Sequence, residues 1–151
     1  MTIIAIEQGR PRVAQMTADY QDIQNIVGGF FTTFFTVRSP DGKGRLLTGY
    51  VHDEGMYERL PTDIGVVYGD KRAIPLFGNA VIGAIDAGGE SQPLSETEVS
   101  AIFRELYRNE DGEEIFFPIL EQMEDTPDHR IPFIAVKTVF RVDKLAAQGD
   151  N

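Results

Sequence analysis

Apolar residues follow two kinds of spacing near the start of the chain. Residues 3–6 form an apolar run that predicts a first strand, and residues 13–16 follow a Gly-Arg-Pro turn signal and predict a second. The next apolar residues recur at helical spacing between Thr17, which can accept from first-turn N–H groups, and Gly28, a residue typical of helix ends. This pattern predicts a helix that begins after Thr17 and ends at Gly28.

A β-hairpin is predicted over residues 30–52. Residues 30–38 are rich in aromatic and β-branched side chains and contain no Gly or Pro, which is typical of a central strand buried on both faces. A Ser-Pro-Asp-Gly turn follows at 39–42, and residues 46–51 supply the return strand. The pattern then weakens, and residues 52–77 are predicted to form a loop with at most one short strand or helical turn.

A capping box marks the second predicted helix. Ser95 is followed three residues later by Glu98, which predicts a helix over 96–108 with an apolar stripe on one face. Further along, Pro118 stands where a first helical residue is expected and predicts a third, short helix. Alternating apolar residues over 133–142 predict a final strand.

Together these elements predict an α+β fold in a single domain over residues 1–151. Its sheet is mainly antiparallel and includes a buried strand at 80–85, whose residues are small and apolar. The helices are expected to cover one face of the sheet. Residues 146–151 are expected to form a frayed tail.

Acidic residues are concentrated in one segment of the chain. The formal net charge is −10, from 24 acids and 14 bases, and residues 86–128 carry 13 of the acids but only two of the bases. Such a surface repels nucleic acid and anionic membranes, because binding to phosphate requires Lys and Arg. The segment is either a solvated face that keeps the protein soluble or a surface that attracts a basic partner. The residues of this acidic face are Glu105, Glu110, Asp111, Glu113 and Glu114.

Several kinds of chemistry are excluded by what the chain lacks. It contains no Cys, so thiol nucleophiles and Cys-ligated metals are ruled out. It has no glycine motif for nucleotides, no catalytic serine motif and no zinc-protease motif. We also expect neither a signal peptide nor a membrane span, since the sequence contains no pattern typical of either. We therefore expect a cytoplasmic protein without catalytic residues, metal or cofactor, and a binding protein rather than an enzyme.

One cluster of polar residues predicts an alternative site. His52, Asp53 and Glu54 form the most compact set of potential acid–base groups, and paired glycines with an arginine could complete a pocket for a small ligand. A strand end that enters a turn explains the same residues, since polar residues followed by Gly are what turns require. The residues of this alternative pocket are Gly28, Gly29, His52, Asp53, Glu54 and Arg59.

Short motifs in the first two thirds of the chain resemble one known family. These motifs are YQDIQNIVGGF at 20–30, VHDEG at 51–55 with Leu60-Pro61 after it, FGNAVIG at 77–83, and a helix start at Leu94-Ser95. They resemble the domain-of-unknown-function family 3846, which comprises small proteins of phages, plasmids and other mobile elements of bacteria. The resemblance implies that context, but it implies no activity.

The resemblance divides the chain into a family-like core at 2–105 and an acidic extension at 106–145 with a helix and a C-terminal strand. Three hypotheses for the function follow. The first is a non-enzymatic accessory protein that binds a basic host protein through the acidic face. The second is a small-ligand module or enzyme built on the alternative pocket. The third is a self-assembling structural component, a homo-oligomer in which an unpaired edge such as 133–142 pairs between copies.

Overall fold

Three helices and twelve strands make up the part of the chain that the computed structural model describes, residues 1–17, 19–120 and 131–149. Most strand pairs are antiparallel, so the predicted α+β class with a mainly antiparallel sheet is confirmed. The elements are β1 (Thr2–Glu7), β2 (Arg10–Gln15), α1 (Tyr20–Val27), β3 (Phe31–Arg38), β4 (Leu46–His52), β5 (Ile64–Val67), β6 (Ala73–Leu76), β7 (Ala80–Ile85), β8 (Ser91–Gln92), α2 (Glu96–Arg104), β9 (Leu106–Tyr107), β10 (Ile115–Pro118), β11 (Phe133–Val136), β12 (Thr138–Arg141) and α3 (Val142–Gly149).

The largest sheet carries the predicted hairpin. Its strand order is β2-β1-β7-β4-β3, with β8 paired to β7, and its pairs are antiparallel. β3 and β4 form the hairpin predicted over residues 30–52. A second sheet has the order β6-β5-β12-β9, in which β12 and β5 run parallel. β10 and β11 form a two-stranded ribbon.

β3 lies at the edge of its sheet, so the prediction of a central strand is wrong. The hairpin register shifts between Thr33 and Phe35, which makes Phe34 the extra residue of a β-bulge. The rings of both Phe34 and Phe35 then pack on Phe140 in the main core. The bulge, rather than burial of both strand faces, accounts for the two consecutive aromatic residues.

The two faces of the large sheet carry different helices. On β1, Ile4 and Ile6 belong to the main core, which also contains residues of α2, α3 and the second sheet. The intervening residues Ile3 and Ala5 point to the opposite face, because successive side chains of a strand alternate. There they pack with Ile23 of α1. The prediction that the helices cover one face is therefore wrong.

The predicted loop at 52–77 contains a second hairpin, formed by β5 and β6. Its strands have four residues each and contain Gly65 and Pro75, which is why their pattern is weak. Close packing explains the glycine at position 65, since a Cβ atom there would lie 2.7 Å from the ring of Phe117. The glycine lets the ribbon approach β5 closely.

α2 begins where the sequence predicts and ends early. The side chain of Ser95 accepts from the backbone N–H of Glu98, and the Glu98 carboxylate accepts from the backbone N–H of Ser95, so the capping box is confirmed. The helix ends at Arg104 instead of 108, because the next residues pair with β12 as β9.

α1 has the predicted end but a different start. Gly28 follows the helix with a φ of 92°, a left-handed conformation that favours glycine. The N-cap is Asp19, whose carboxylate accepts from the backbone N–H of Gln21, and not Thr17. The Thr17 hydroxyl instead donates to the carboxylate of Asp22 at 2.6 Å.

The helix predicted to start at Pro118 is absent from residues 118–120, the part of it that the structure describes. β10 ends at Pro118, and Leu120 then forms a single bridge with Ala73 of β6. The later residues of the predicted helix, such as Met123, lie outside the described residues. A proline is compatible with this position because β10 belongs to a two-stranded ribbon, and Pro118 is its last residue. A strand end in such a ribbon does not require a backbone N–H.

The final predicted strand, 133–142, is divided in two at Lys137. The backbone N–H groups of Lys137 and Thr138 both donate to the carbonyl of Asp63, at 2.9 and 3.1 Å. β12 lies between β5 and β9, so it offers no edge for pairing between copies, whereas β11 pairs only with β10 in the described residues. Of the tail predicted at 146–151, residues 146–149 belong to α3, and 150–151 lie outside the described residues.

Candidate functional site

Four of the five predicted acidic residues lie together in the turn between β9 and β10. Glu110, Asp111, Glu113 and Glu114 are all exposed. The turn is held by its own hydrogen bonds, since the backbone N–H of Glu113 donates to the Asp111 carboxylate at 3.1 Å. The side-chain amide of Asn109 donates to the carbonyl of Glu113 at 3.3 Å. The result is a compact exposed group of carboxylates.

Glu105 does not belong to this exposed group. It is only 6% exposed, and its Oε1 atom accepts from Nη2 of Arg141 at 3.1 Å. Its backbone carbonyl also accepts from the N–H of Arg141, at 2.9 Å. Glu105 therefore fastens the end of α2 to β12, and its assignment to the acidic face is wrong.

Exposed aromatic residues adjoin the acidic turn. Tyr107, which is 54% exposed, and Glu110 line the same open cavity of about 520 Å³. Phe116 follows the turn on β10 and is 82% exposed, and Phe133 on β11 is 59% exposed. The opposite face of the ribbon is buried through Phe117 and its neighbours. We define the acidic–aromatic surface as Tyr107, Glu110, Asp111, Glu113, Glu114, Phe116 and Phe133.

The sequence did not predict these aromatic residues as part of a site. Phe116 and Phe117 are adjacent in β10, and their side chains point to opposite faces. Phe117 is 3% exposed and Phe116 is 82% exposed. Only the strand assignment separates the two, and the sequence predicts a helix start at Pro118, directly after them.

The structure brings the paired glycines and His52 of the alternative pocket together. A Cβ atom on Gly29 would lie 2.6 Å from Nε2 of His52, so a larger residue here would displace the imidazole ring. His52 is 7% exposed, and its Nδ1 atom accepts from the backbone N–H of Glu54 at 2.9 Å. Its Nε2 atom lies 3.4 Å from the carboxylate of Glu58. Accepting at Nδ1 fixes the neutral tautomer with the proton on Nε2.

The other predicted members of that pocket are more dispersed. His52 and Asp53 line an open cavity of about 350 Å³, but Gly28, Gly29, Glu54 and Arg59 do not. Glu54 contributes only its backbone to His52. Within the described ranges, no three His, Asp or Glu residues are close enough together to hold a metal ion.

Tyr68 forms the wall of the same cavity. Its hydroxyl donates to the backbone carbonyl of Phe34 at 2.7 Å, and the guanidinium of Arg72 lies 4.6 Å from the centre of its ring. Burial raises the pKa of Tyr68 to about 12, so the hydroxyl remains a donor at neutral pH. Arg72 is paired with Asp70 at 2.8 Å. A second cavity of about 410 Å³ lies beyond Tyr68, between β3 and α3.

The fold and this site define a small α+β domain that combines an antiparallel sheet with an exposed acidic and aromatic ribbon. A family model described as domain of unknown function (DUF3846) matches residues 1–108, and the chain belongs to this family. The predicted resemblance is therefore confirmed. No curated protein and no solved structure matches the chain. In the described ranges, no helix is long and apolar enough to cross a membrane.

The family match ends just before the acidic turn. Residues 1–108 include Tyr107, but the four carboxylates, Phe116 and Phe133 lie beyond the match. The second cavity along Tyr68 combines both parts of the chain, since α3 forms one of its walls. The acidic–aromatic surface is thus formed mainly by sequence that the family model does not cover.

Proposed function

We propose that the protein is a non-enzymatic accessory protein of a phage or another mobile element. It binds a basic partner protein in the cytoplasm through the acidic–aromatic surface. One observation carries this proposal: exposed aromatic side chains, with Phe116 82% exposed, lie next to a group of exposed carboxylates. Large exposed apolar side chains that cluster are typical of interaction sites, and interfaces are enriched in aromatic residues.

The aromatic residues supply affinity in this proposal. Burying a Phe side chain contributes roughly 1.5–3 kcal/mol, so Phe116 and Phe133 together supply enough to be hot spots at the centre of an interface. Both residues lie on the ribbon formed by β10 and β11, whose other face is anchored in a buried cluster. The ribbon therefore presents them on a supported surface and little ordering free energy is lost on binding.

The carboxylates select the charge of the partner. Four exposed carboxylates in one turn attract Lys and Arg residues and repel nucleic acid and acidic proteins. A host protein that handles DNA has a basic groove for phosphates, and such a groove accepts carboxylates in their place. Because exposed charges are screened beyond about 10 Å at 0.1 M salt, binding should weaken as the salt concentration rises.

The experiment compares the loss of two negative charges from the acidic–aromatic surface with the loss of two from elsewhere on the protein. Tagged wild-type protein, Phe116→Ser, Glu110→Gln/Glu113→Gln and the control Glu54→Gln/Glu90→Gln are used to capture proteins from a bacterial lysate at low and high salt. Glu54 and Glu90 are also exposed and lie outside the acidic–aromatic surface. We expect one stoichiometric basic protein with the wild type and the control, less of it with both test variants, and loss of it at high salt.

The proposal fails if all four proteins capture the same partners equally, or if the captured protein is acidic and insensitive to salt. Circular dichroism of each variant shows whether it is folded. All substituted residues are exposed, so we expect stability changes within about 0.5 kcal/mol.

A further inference from the structure

One row of backbone N–H and C=O groups on β3 is not hydrogen-bonded to β4. Two hydrogen bonds, one at each end of the hairpin, show which residue pairs are bonded. The N–H of Asp53 donates to the carbonyl of Phe30, and the N–H of Ser39 donates to the carbonyl of Arg45. Bonded and non-bonded pairs alternate in an antiparallel ladder. The backbone groups of Thr33 and Thr36 therefore point away from β4, and β4 is the only strand paired with β3 among the described residues.

The two edges of the large sheet differ in how they resist pairing. The other edge strand, β2, contains Pro11 and two arginines, Arg10 and Arg12, residues that typically prevent the addition of another strand. β3 has no charge and no proline before Arg38, and four of its residues are β-branched. By composition, β3 is the edge that accepts another strand.

A groove runs along the free edge of β3. The cavities of about 350 and 410 Å³ share Phe34, Tyr68 and Arg72, and together they follow β3 from Thr33 to Val37. Their outer walls are the hairpin of β5 and β6 and the helix α3. Extended peptides add as a strand to an exposed sheet edge, and neighbouring pockets take their side chains. The length of the groove favours an extended chain over a compact small ligand.

The charges in the groove favour a basic occupant. Asp53 lines one cavity and Asp143 lines the other. In the described part of the chain, Oδ1 of Asp143 is buried and has no hydrogen-bond partner. The positive charge of Arg72 is already paired with Asp70. A lysine or arginine at one end of the groove would pair with the carboxylate of Asp143.

We propose that the free edge of β3 binds an extended segment of a partner protein as an added strand, with a Lys or Arg of that segment at Asp143. Backbone hydrogen bonds to Thr33 and Thr36 hold the segment. The carbonyl of the bulged residue Phe34 already accepts a hydrogen bond from the Tyr68 hydroxyl. The added strand therefore forms its backbone hydrogen bonds at Thr33 and Thr36, on either side of the bulge. A second copy of the chain is a less suitable occupant, because two chains of net charge −10 repel each other.

In the test, peptides are selected for binding to the intact protein. Their binding is then measured on a variant that lacks the backbone N–H of residue 36. A display library of random twelve-residue peptides is panned on the wild type, and the enriched peptide is measured on Thr36→Pro, Thr36→Val and Asp143→Asn. Proline removes an N–H that does not bond to β4 and also fixes φ, whereas valine keeps the N–H. We expect enriched peptides with a conserved Lys or Arg, at least about tenfold weaker binding to Thr36→Pro, and unchanged binding to Thr36→Val. Asp143→Asn should remove the preference for the basic residue.

Hydrogen exchange provides a measurement that does not depend on a variant. On the wild type, the enriched peptide should slow exchange of the Thr33 and Thr36 amides, while the amides of Thr32 and Val37, which face β4, are already slow. Absence of enriched peptides, equal binding to both Thr36 variants, or unchanged exchange at Thr33 and Thr36 would each overturn the proposal. A concentration-dependent dimer that Thr36→Pro dissociates would also overturn it, because the occupant would then be a second copy. Variants of the acidic–aromatic surface should leave peptide binding unchanged, so the two proposals fail separately.

Discussion

Arg45 and Glu98 form a buried ion pair that connects the β3–β4 turn to α2. Nη2 of Arg45 lies 2.8 Å from Oε1 of Glu98, and the side chains are 19% and 0% exposed. The carboxylate also accepts from the hydroxyl of Ser39 at 2.5 Å and from the backbone N–H of Ser95 at 2.8 Å. This network fixes the hairpin end against the helix N-terminus, where a carboxylate is additionally favoured by the helix dipole.

We predict that Arg45→Met lowers the free energy of unfolding by about 2–4 kcal/mol. Removing one partner of a buried ion pair typically costs about 3–5 kcal/mol. The lower figure applies here because Glu98 keeps its hydrogen bonds to Ser39 and Ser95 and because Arg45 is partly exposed, so water can enter. Domains of this kind are stable by about 5–15 kcal/mol, so the change is a large fraction of the total.

A double-mutant cycle isolates the pair. Unfolding in urea is measured for the wild type, Arg45→Met, Glu98→Gln and the double variant, with circular dichroism as the signal, since the chain has no Trp. Urea is preferred to guanidinium chloride because the latter is a salt and screens ion pairs. We expect a coupling free energy of about 1.5–3 kcal/mol. The double variant should therefore lose less unfolding free energy than the two single variants lose in total.

An exposed ion pair serves as the matched control. Arg12 and Glu7 are 2.5 Å apart, but their side chains are 58% and 38% exposed. Arg12→Met should cost less than about 1 kcal/mol, because exposed pairs contribute little. A coupling free energy between Arg45 and Glu98 below about 0.5 kcal/mol, or equal costs for Arg45→Met and Arg12→Met, would refute the reasoning from burial.

Three further predictions concern the residues around β3 and β4. Gly49→Ala should destabilise the protein by about 1–3 kcal/mol, measured by urea unfolding, because the new Cβ atom would clash with the ring of Phe35. Gly29→Ala should displace the ring of His52, whose Nε2 atom lies 2.6 Å from the new Cβ, and NMR of the imidazole should show the change while β4 stays intact. Burial raises the pKa of Tyr68 to about 12, above about 10 for the unfolded chain. The protonated phenol therefore favours the folded state, and stability should decline as the pH rises from 10 to 12, but less so in Tyr68→Phe.

The predictions that succeed depend on local signals. The hairpin over 30–52, the capping box at Ser95 and the left-handed residue Gly28 are each specified by a few adjacent residues. Turn and cap chemistry acts within about four residues, so it is visible in the sequence. The family resemblance belongs to the same class, since it rests on short motifs within the matched region 1–108.

The predictions that fail depend on partners distant in the chain. β3 is aromatic because a bulge directs Phe34 and Phe35 to Phe140, more than 100 residues away. β5 is short and contains Gly65, yet it is a strand because it pairs with β6 and, in parallel, with β12. Tertiary pairing of this kind overrides weak local propensity.

The candidate site shows the same division. The carboxylates at 110–114 could be predicted, since a group of charges in a turn is exposed. Glu105 could not be excluded from that group, because its burial depends on Arg141 in β12. Phe116 could not be included, because its exposure depends on a ribbon with β11. The charge of a segment follows from its composition, whereas the burial of a side chain depends on which strands and helices pack together.

The boundary of the family match does not coincide with a boundary of the fold. Phe140 and Leu145 lie beyond residue 108, yet both are fully buried in the same cluster as Ile4 and Ile64. β12 is inserted between β5 and β9 and completes their sheet. The sequence beyond the match is therefore part of the core, and a chain truncated at 108 would lose a central strand and expose apolar residues. Tests of the acidic–aromatic surface consequently require single substitutions in the whole chain, since deletion would unfold the surface and its support together.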